Sequence, residues 1–214
     1  MQQRLKIALF GATGMIGSRI AAEALARGHE VTAIVRRPKP VDGLPELKVV
    51  AGDLFDAAAS SALVAGFDVI ASAYGPSHDD ASKVIEATRS LVGLARAAGV
   101  KRLVAVGGAG SLEVAPGKQL VDTEGFPDAY KAVALAHREA LGVYRTVADL
   151  DWTFFSPAAM IAPGAKTGTF RTGADSLIVD ASGNSKISAE DYAVAFVDEV
   201  EQGRFVRRIA TVAY

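Results

Sequence analysis

Seven residues constrain this chain more than any others: Gly11-Ala12-Thr13-Gly14-Met15-Ile16-Gly17, set directly after the apolar run Ile7-Ala8-Leu9-Phe10. A strand that turns sharply into a helix beside a pyrophosphate needs glycine for separate jobs. The first glycine permits the tight turn, the second lets the backbone approach the phosphates, and the third lets helix and strand pack closely. The helix that follows would aim its free N–H groups and its positive dipole end at the phosphates. Glycine-rich turns are common, so the context carries the assignment. There is a strand before, an Ala-rich helix after, and a second strand at 30–35, the spacing of a βαβ unit. Gly11, Thr13, Gly14, Met15, Ile16 and Gly17 are therefore the candidate phosphate contacts.

The alternation continues along the chain. Apolar patterning places strands at 5–10, 30–35, 47–51, 67–72, 102–106 and 152–156, and helices at 15–27, 57–64, 79–98, 128–148 and 188–201, with Gly99 as a helix stop. This order predicts an α/β fold, a Rossmann-type doubly wound parallel sheet with right-handed crossovers and a small C-terminal substrate lobe. The length of 214 residues suits one such domain. Hydrophobic residues make up 50% and aromatics only 7%, which matches Ala-rich helices laid over Val/Ile-rich parallel strands. Two stretches break the pattern: 107–127, rich in Gly and Pro, and 157–184, which holds short candidate strands at 168–171 and 176–179. Open α/β sheets bind ligands beyond the carboxyl ends of their strands, so these stretches are the expected substrate walls.

The formal net charge of -1, with no Lys/Arg run longer than two, gives no footprint for nucleic acid. The absence of cysteine excludes disulfides, thiolate zinc and cysteine nucleophiles. His29, His78 and His137 are scattered without metal-ligand spacing, so no metal is expected and each histidine reads as a surface or packing residue. The first strand begins almost at Met1 and no segment approaches about 18 uninterrupted apolar residues. The expectation is a cytoplasmic monomer or homodimer that acts on a small molecule and engages neither nucleic acid nor membrane.

At the end of the second strand an acidic residue would hold the ribose 2′-hydroxyl of NAD, whereas a 2′-phosphate calls for arginine. Here the chain reads Ile34-Val35-Arg36-Arg37-Pro38, with no acid until Asp42, which favours NADP(H) while leaving NAD(H) possible. Gly52-Asp53-Leu54 follows the third strand. There Asp53 can accept the adenine amino group beside Leu54, or it can cap the next helix. Ala73, Tyr74 and Gly75 after the fourth strand leave room for a ribose. After the fifth strand Gly107 opens the run Gly107-Gly108-Ala109-Gly110-Ser111, whose hydroxyl is a candidate substrate ligand or a turn residue.

These motifs, with Leu150-Asp151-Trp152-Thr153-Phe154, Ser156-Pro157-Ala158 and Ile187-Ser188-Ala189-Glu190-Asp191-Tyr192-Ala193, resemble the atypical short-chain dehydrogenase/reductase group. The likeness is to its NAD(P)H-binding, NmrA-like branch and within that to bacterial NADH-flavin or flavin/biliverdin reductase-like proteins. It covers nearly the whole chain but specifies no substrate. Active dehydrogenases of the superfamily use Tyr-x-x-x-Lys, the lysine lowering the phenol pKa from about 10. Tyr130 stands where that tyrosine is expected, so Tyr130 and Ser111 are the catalytic candidates, but the fourth following position is Ala134. Lys131 is turned roughly 100° away around the helix. Ser156-Pro157 would close the pocket, where many relatives carry Arg-Pro; the serine gives a smaller and less basic wall. Trp152 and Phe154 read as core, and Ser188-x-Glu190-Asp191 as a helix cap. The resemblance implies an NAD(P)H-dependent reductase of a flavin or similar conjugated acceptor, which needs no protein acid. The alternatives are a non-catalytic NAD(P)-binding sensor or regulator of the NmrA type, and a sugar reductase or epimerase.

Overall fold

The computed structural model describes residues 3–75 and 80–214; His78 and the expected helix start at Asp79 lie outside them. The main sheet has eight strands in the order β10-β12-β8-β5-β4-β1-β2-β3. They are β1 (Lys6–Phe10), β2 (Glu30–Val35), β3 (Lys48–Ala51), β4 (Val69–Ser72), β5 (Arg102–Val106), β8 (Asp151–Ser156), β10 (Arg171–Gly173) and β12 (Arg208–Ala213). All neighbours pair in parallel except β10, which runs antiparallel to β12. Helices α1 (Met15–Ala26) and α5 (Ala189–Gln202) cover one face, and α2 (Ala57–Val64), α3 (Lys83–Ala98) and α4 (Asp128–Arg145) the other. This is the doubly wound Rossmann-type arrangement.

Strand β1 shows how the sequence builds both layers. Ile7 and Leu9 enter the core under α1 and α5, whereas Ala8 and Phe10 enter the core under α3 and α4. Alternate side chains point to opposite faces, and both faces are covered, so the strand is apolar from Ile7 to Phe10. Gly99 ends α3 in the left-handed conformation at φ 70°. No helix among the described residues is long and apolar enough to cross a membrane.

The C-terminal third departs from the sequence expectation. Strand β12 has no expected counterpart, because five of its six residues are buried and no polar alternation marks it. Candidate strand 168–171 is displaced to β10, and 176–179 reduces to an isolated bridge between Ser176 and Glu113. Two small pairs complete the lobe: β6 (Glu113–Ala115) with β7 (Lys118–Gln119), and β9 (Met160–Ala162) with β11 (Lys186–Ser188). Helix α4 stops at Arg145 rather than 148, and a turn then leads into β8.

A buried ion pair anchors β12 at the end of the sheet remote from the loops. Arg102 on β5 donates to Glu199 Oε1 at 2.7 Å and to Thr153 Oγ1 on β8 at 2.8 Å, while Phe205 N–H donates to the same carboxylate at 3.1 Å. The Glu199 side chain is 2% exposed. Removing one partner of a buried pair leaves the other uncompensated, at a cost of about 3–5 kcal/mol. Glu199→Ala should therefore lower the unfolding free energy by roughly that amount. Asp149→Ala, which breaks the exposed pair with Arg96, should leave the denaturation midpoint nearly unchanged. Urea unfolding of both variants is the check, and equal midpoint shifts would contradict the assignment.

Candidate functional site

A groove of about 240 Å³ lies where β1, β2, β3 and β4 end. Gly11 turns out of β1 with φ 77°, and a Cβ on it would sit 2.4 Å from the Ala73 carbonyl oxygen. A Cβ on Gly17 would sit 2.0 Å from the Gly11 carbonyl oxygen. Both are glycine because backbone meets backbone there. Gly14 differs: a Cβ would find only the Gly11 carbonyl oxygen at 3.5 Å and would otherwise enter the groove. It precedes α1, which starts with no side-chain cap and no acidic residue in its first turn. The first N–H groups of that helix therefore keep their capacity for an anion. Of the expected phosphate contacts, Thr13 lines the groove with Gly11 and Gly14; Met15 and Ile16 follow in the first turn of α1 outside the lining, and Gly17 is buried behind it.

Arg36 lines the outer edge of the groove, and neither it nor the exposed Arg37 forms an ion pair with a described residue. Asp53 also lines it, its Oδ1 accepting the Phe55 N–H at 3.0 Å. The cap of α2 is Asp56 instead, which accepts the Ala59 N–H at 3.0 Å. Leu54, Ala73, Tyr74 and Gly75 complete the wall. The Tyr74 ring meets Phe55 edge-on at 5.5 Å, and burial raises its phenol pKa despite the opposing charge of Arg36. This donor set fits a phosphorylated dinucleotide: an open glycine, an uncapped helix, exposed arginine and an aromatic corner for a base.

Beyond β5 and β8 opens a second, larger cavity of about 1150 Å³. Gly108, Ala109 and Gly110 form one side with residues between 120 and 127, α4 another, and 157–165 with β11 and Tyr214 the rest. Among the described lining residues Lys186 alone carries a formal charge. Tyr130 and Met160 stand at its rim, 56% and 68% exposed. Ala134 faces the cavity with a methyl where the lysine of the superfamily would stand, and a Cβ on Gly110 would lie 2.8 Å from it. Lys131 is exposed and outside the lining, as the helical step requires.

Several expected residues take other positions. Ser111 closes a short 3-10 turn (Ala109–Ser111); its hydroxyl is buried, outside the cavity lining, and has no described hydrogen-bond partner. Ser156 is fully buried and donates to the Gly108 carbonyl at 3.2 Å, so it braces the loop rather than facing the cavity, while Pro157 lines it. Gly107 is buried against Ser156, where a Cβ would strike the Phe154 ring at 2.4 Å. His29 packs inside, accepting the Leu5 N–H at Nδ1 and meeting Glu201 through Nε2 at 2.8 Å. His137 lines the cavity floor; burial pushes its pKa down to about 4, so the ring is neutral near pH 7. It lies seven residues after Tyr130, two helical turns on, and that shared face was the sequence signal for it. Phe55 had no such signal.

The far wall is fastened by α5. Ser188 caps the helix by accepting the Asp191 N–H at 3.0 Å, and Asp191 accepts from Thr167 N, Gly168 N and Tyr214 OH at 2.8–2.9 Å. Burial would raise the Asp191 carboxyl, but these donors outweigh it and hold its pKa below the usual value. Glu190 accepts the Gly164 N–H at 2.7 Å and pairs with Arg19 of α1. The cap thus ties the cavity wall to the helix that begins beside the groove.

Comparison with known proteins agrees with this geometry. A protein from Burkholderia pseudomallei, provisionally named an exported protein, is 70% identical and superposes with a TM-score of 0.93, covering 98% of this chain and 100% of that one. One from Bacteroides thetaiotaomicron, provisionally an epimerase, is 40% identical with a TM-score of 0.91 over 99% and 98%. Another from Streptococcus pneumoniae, provisionally an NADH-flavin reductase, is 34% identical with a TM-score of 0.89 over 98% and 99%. The sequence profile described as NAD(P)H-binding matches residues 11–203, and the chain therefore belongs to the NAD(P)H-binding family.

Proposed function

We propose that the protein is an NADPH-dependent oxidoreductase that reduces a flavin or a similar conjugated small molecule. The observation that carries this reading is Ala134: beside a dinucleotide groove lies a large, weakly charged cavity in which the lysine of the usual proton shuttle is replaced by a methyl. A carbonyl substrate needs an acid for its developing alkoxide. A flavin does not, because hydride enters at one ring nitrogen and another takes its proton from water. The provisional name of the Streptococcus relative points the same way. The reading keeps the cytoplasmic location expected from the sequence, a reducing compartment that suits a pyridine-nucleotide enzyme, even though the Burkholderia relative is called exported.

In this reading Gly14 and the start of α1 hold the pyrophosphate, Arg36 the 2′-phosphate, and Asp53, Phe55 and Tyr74 the adenine. Bound NADPH supplies the hydride. The walls from Gly108–Gly110 and 157–165 orient the acceptor and limit water, which contributes through proximity rather than acid–base chemistry. Tyr130 and Met160 offer flat, polarizable contact at the entrance.

Two variants test the cofactor half. Gly14→Val should abolish dinucleotide binding while leaving the fold largely intact, because its Cβ makes one ordinary contact with the Gly11 carbonyl oxygen at 3.5 Å and the rest of the side chain enters the groove. Arg36→Ala should weaken NADPH about 10- to 100-fold and NADH hardly at all, the value of one charge-assisted contact. Calorimetry reads both; retained binding in the first, or equal losses in the second, would contradict the placement. The acceptor half is tested by Tyr130→Phe, which should leave the single-turnover rate of flavin reduction within about threefold, against the 10²–10⁴-fold loss of a true general acid. A hundredfold fall with cofactor affinity intact would move the assignment to a carbonyl substrate.

A further inference from the structure

Residues Gly164 to Gly168 form no helix or strand, yet each is held by a side chain from α5 or α1. The Gly164 N–H donates to Glu190 at 2.7 Å, and the Ala165 carbonyl accepts from the Ser188 hydroxyl at 2.7 Å. Lys166 pairs with Glu23 of α1, and the N–H groups of Thr167 and Gly168 donate to Asp191 at 2.9 and 2.8 Å. A segment without a ladder of its own owes its place to such partners. Gly164 and Ala165 line the large cavity. A Cβ on Gly164 would lie 3.0 Å from the Ser188 Cβ, so this part of the wall lies flush against the start of α5.

Glu190 joins this wall to the dinucleotide groove. One of its carboxylate oxygens accepts the Gly164 N–H, and the other accepts Arg19 Nε at 2.5 Å. Arg19 Nη1 donates in turn to the Met15 carbonyl at 2.8 Å. Met15 is the first residue of α1 and follows Gly14, so an unbroken path runs from the helix start beside the groove through Arg19 and Glu190 to the cavity wall. The guanidinium is a planar, rigid fork, and its two bonds fix the Met15 carbonyl and the Glu190 carboxylate relative to each other. Burial would raise the Glu190 carboxyl, but Arg19 and the Gly164 N–H outweigh it and hold its pKa below the usual value, so the pair is ionic near pH 7. Lys166 and Glu23 tie the same segment to α1 a second time, further along the helix.

We propose that Arg19 and Glu190 are positioning residues that make acceptor binding depend on the dinucleotide: with the groove filled, the first turn of α1 is fixed, Arg19 and Glu190 carry that order to Gly164, and the acceptor meets a wall already formed. The inference rests on the reductase reading above, which makes one space the dinucleotide site and the other the acceptor site. Neither side chain lines either space. The cost of ordering the path falls on the first ligand, so the second binds more tightly without any new contact. Linkage makes the effect mutual: the acceptor must tighten the dinucleotide by the same factor. The expected order of binding is dinucleotide first and acceptor second.

The test titrates the full-length protein with flavin mononucleotide, read by its fluorescence, without and with saturating NADP⁺. Bound NADP⁺ should raise the flavin affinity about five- to tenfold. Arg19→Met should bring that factor to within about twofold of unity while the affinity for each ligand alone stays within about twofold. Glu190→Gln keeps an oxygen for Gly164 but no charge for Arg19, so it should do the same, and the double variant should add nothing further. A merely structural pair would lower the melting temperature or both affinities and leave the factor intact. Hydrogen exchange at the Gly164 amide reads the wall with no acceptor present: NADP⁺ should slow it in the wild type and not in Arg19→Met. A wild-type factor of one, a variant that keeps the wild-type factor, or Gly164 exchange that ignores NADP⁺ would each overturn the proposal. If flavin mononucleotide binds in neither state, the flavin reading falls, and exchange at Gly164 still decides the link. The wild-type measurements decide it too if a variant does not fold.

Discussion

The architecture of this protein hangs on a place where backbone touches backbone. The turn after β1 brings Gly11 against the end of β4 and Gly17 against the Gly11 carbonyl, leaving no space for a Cβ at either position. That contact fixes where α1 starts and which way its N-terminus points. It opens the groove at the point where the sheet order reverses, with β2 and β3 on one side of β1 and β4 and β5 on the other. From there two helices share one face of the sheet, and Arg19 of α1 pairs with Glu190 of α5, whose other oxygen holds Gly164 in the wall of the second cavity. The groove and the second cavity are thus mechanically joined.

The part of the fold governed by local rules could be read from the chain. The glycine turn, the apolar strands β1, β2, β4, β5 and β8, and all five helices follow from periodicity and caps, and their bounds shift by only a few residues. What escaped reading depends on pairing between distant segments. Strand β12 is Arg-Ile-Ala-Thr-Val-Ala, weak in itself, and becomes a strand because β8 offers a partner on one edge and Glu199 holds the approach to it. The same holds for β9 and β11, three residues each, which pair across a gap of more than twenty residues.

The candidate site divides in the same way. Gly11, Thr13, Gly14, Arg36, Asp53, Leu54, Ala73, Tyr74 and Gly75 come to one groove because each sits at the carboxyl end of a strand, where topology alone gathers them. Ser111 and Ser156 follow strand ends too, yet their hydroxyls point into protein, a rotation that strand position does not determine. His137 is the converse case. A histidine on an amphipathic helix reads as packing, its place two turns beyond Tyr130 is the one sequence sign to the contrary, and the structure puts it in the cavity lining. Ala134 puts a methyl in that cavity at the position of the superfamily's lysine, and Lys186 is the one charged side chain among the described lining residues.

The central claim is that hydride passes to an acceptor that takes its proton from solvent and not from the protein. Anaerobic stopped-flow oxidation of enzyme-bound NADPH by flavin mononucleotide, with deuterium on the transferred position and then in the solvent, measures this directly. The account predicts flavin-dependent oxidation faster than that of free NADPH, a normal primary isotope effect above about 2, and a solvent isotope effect near 1. No acceleration by the protein, or a solvent isotope effect as large as the primary one, would contradict it.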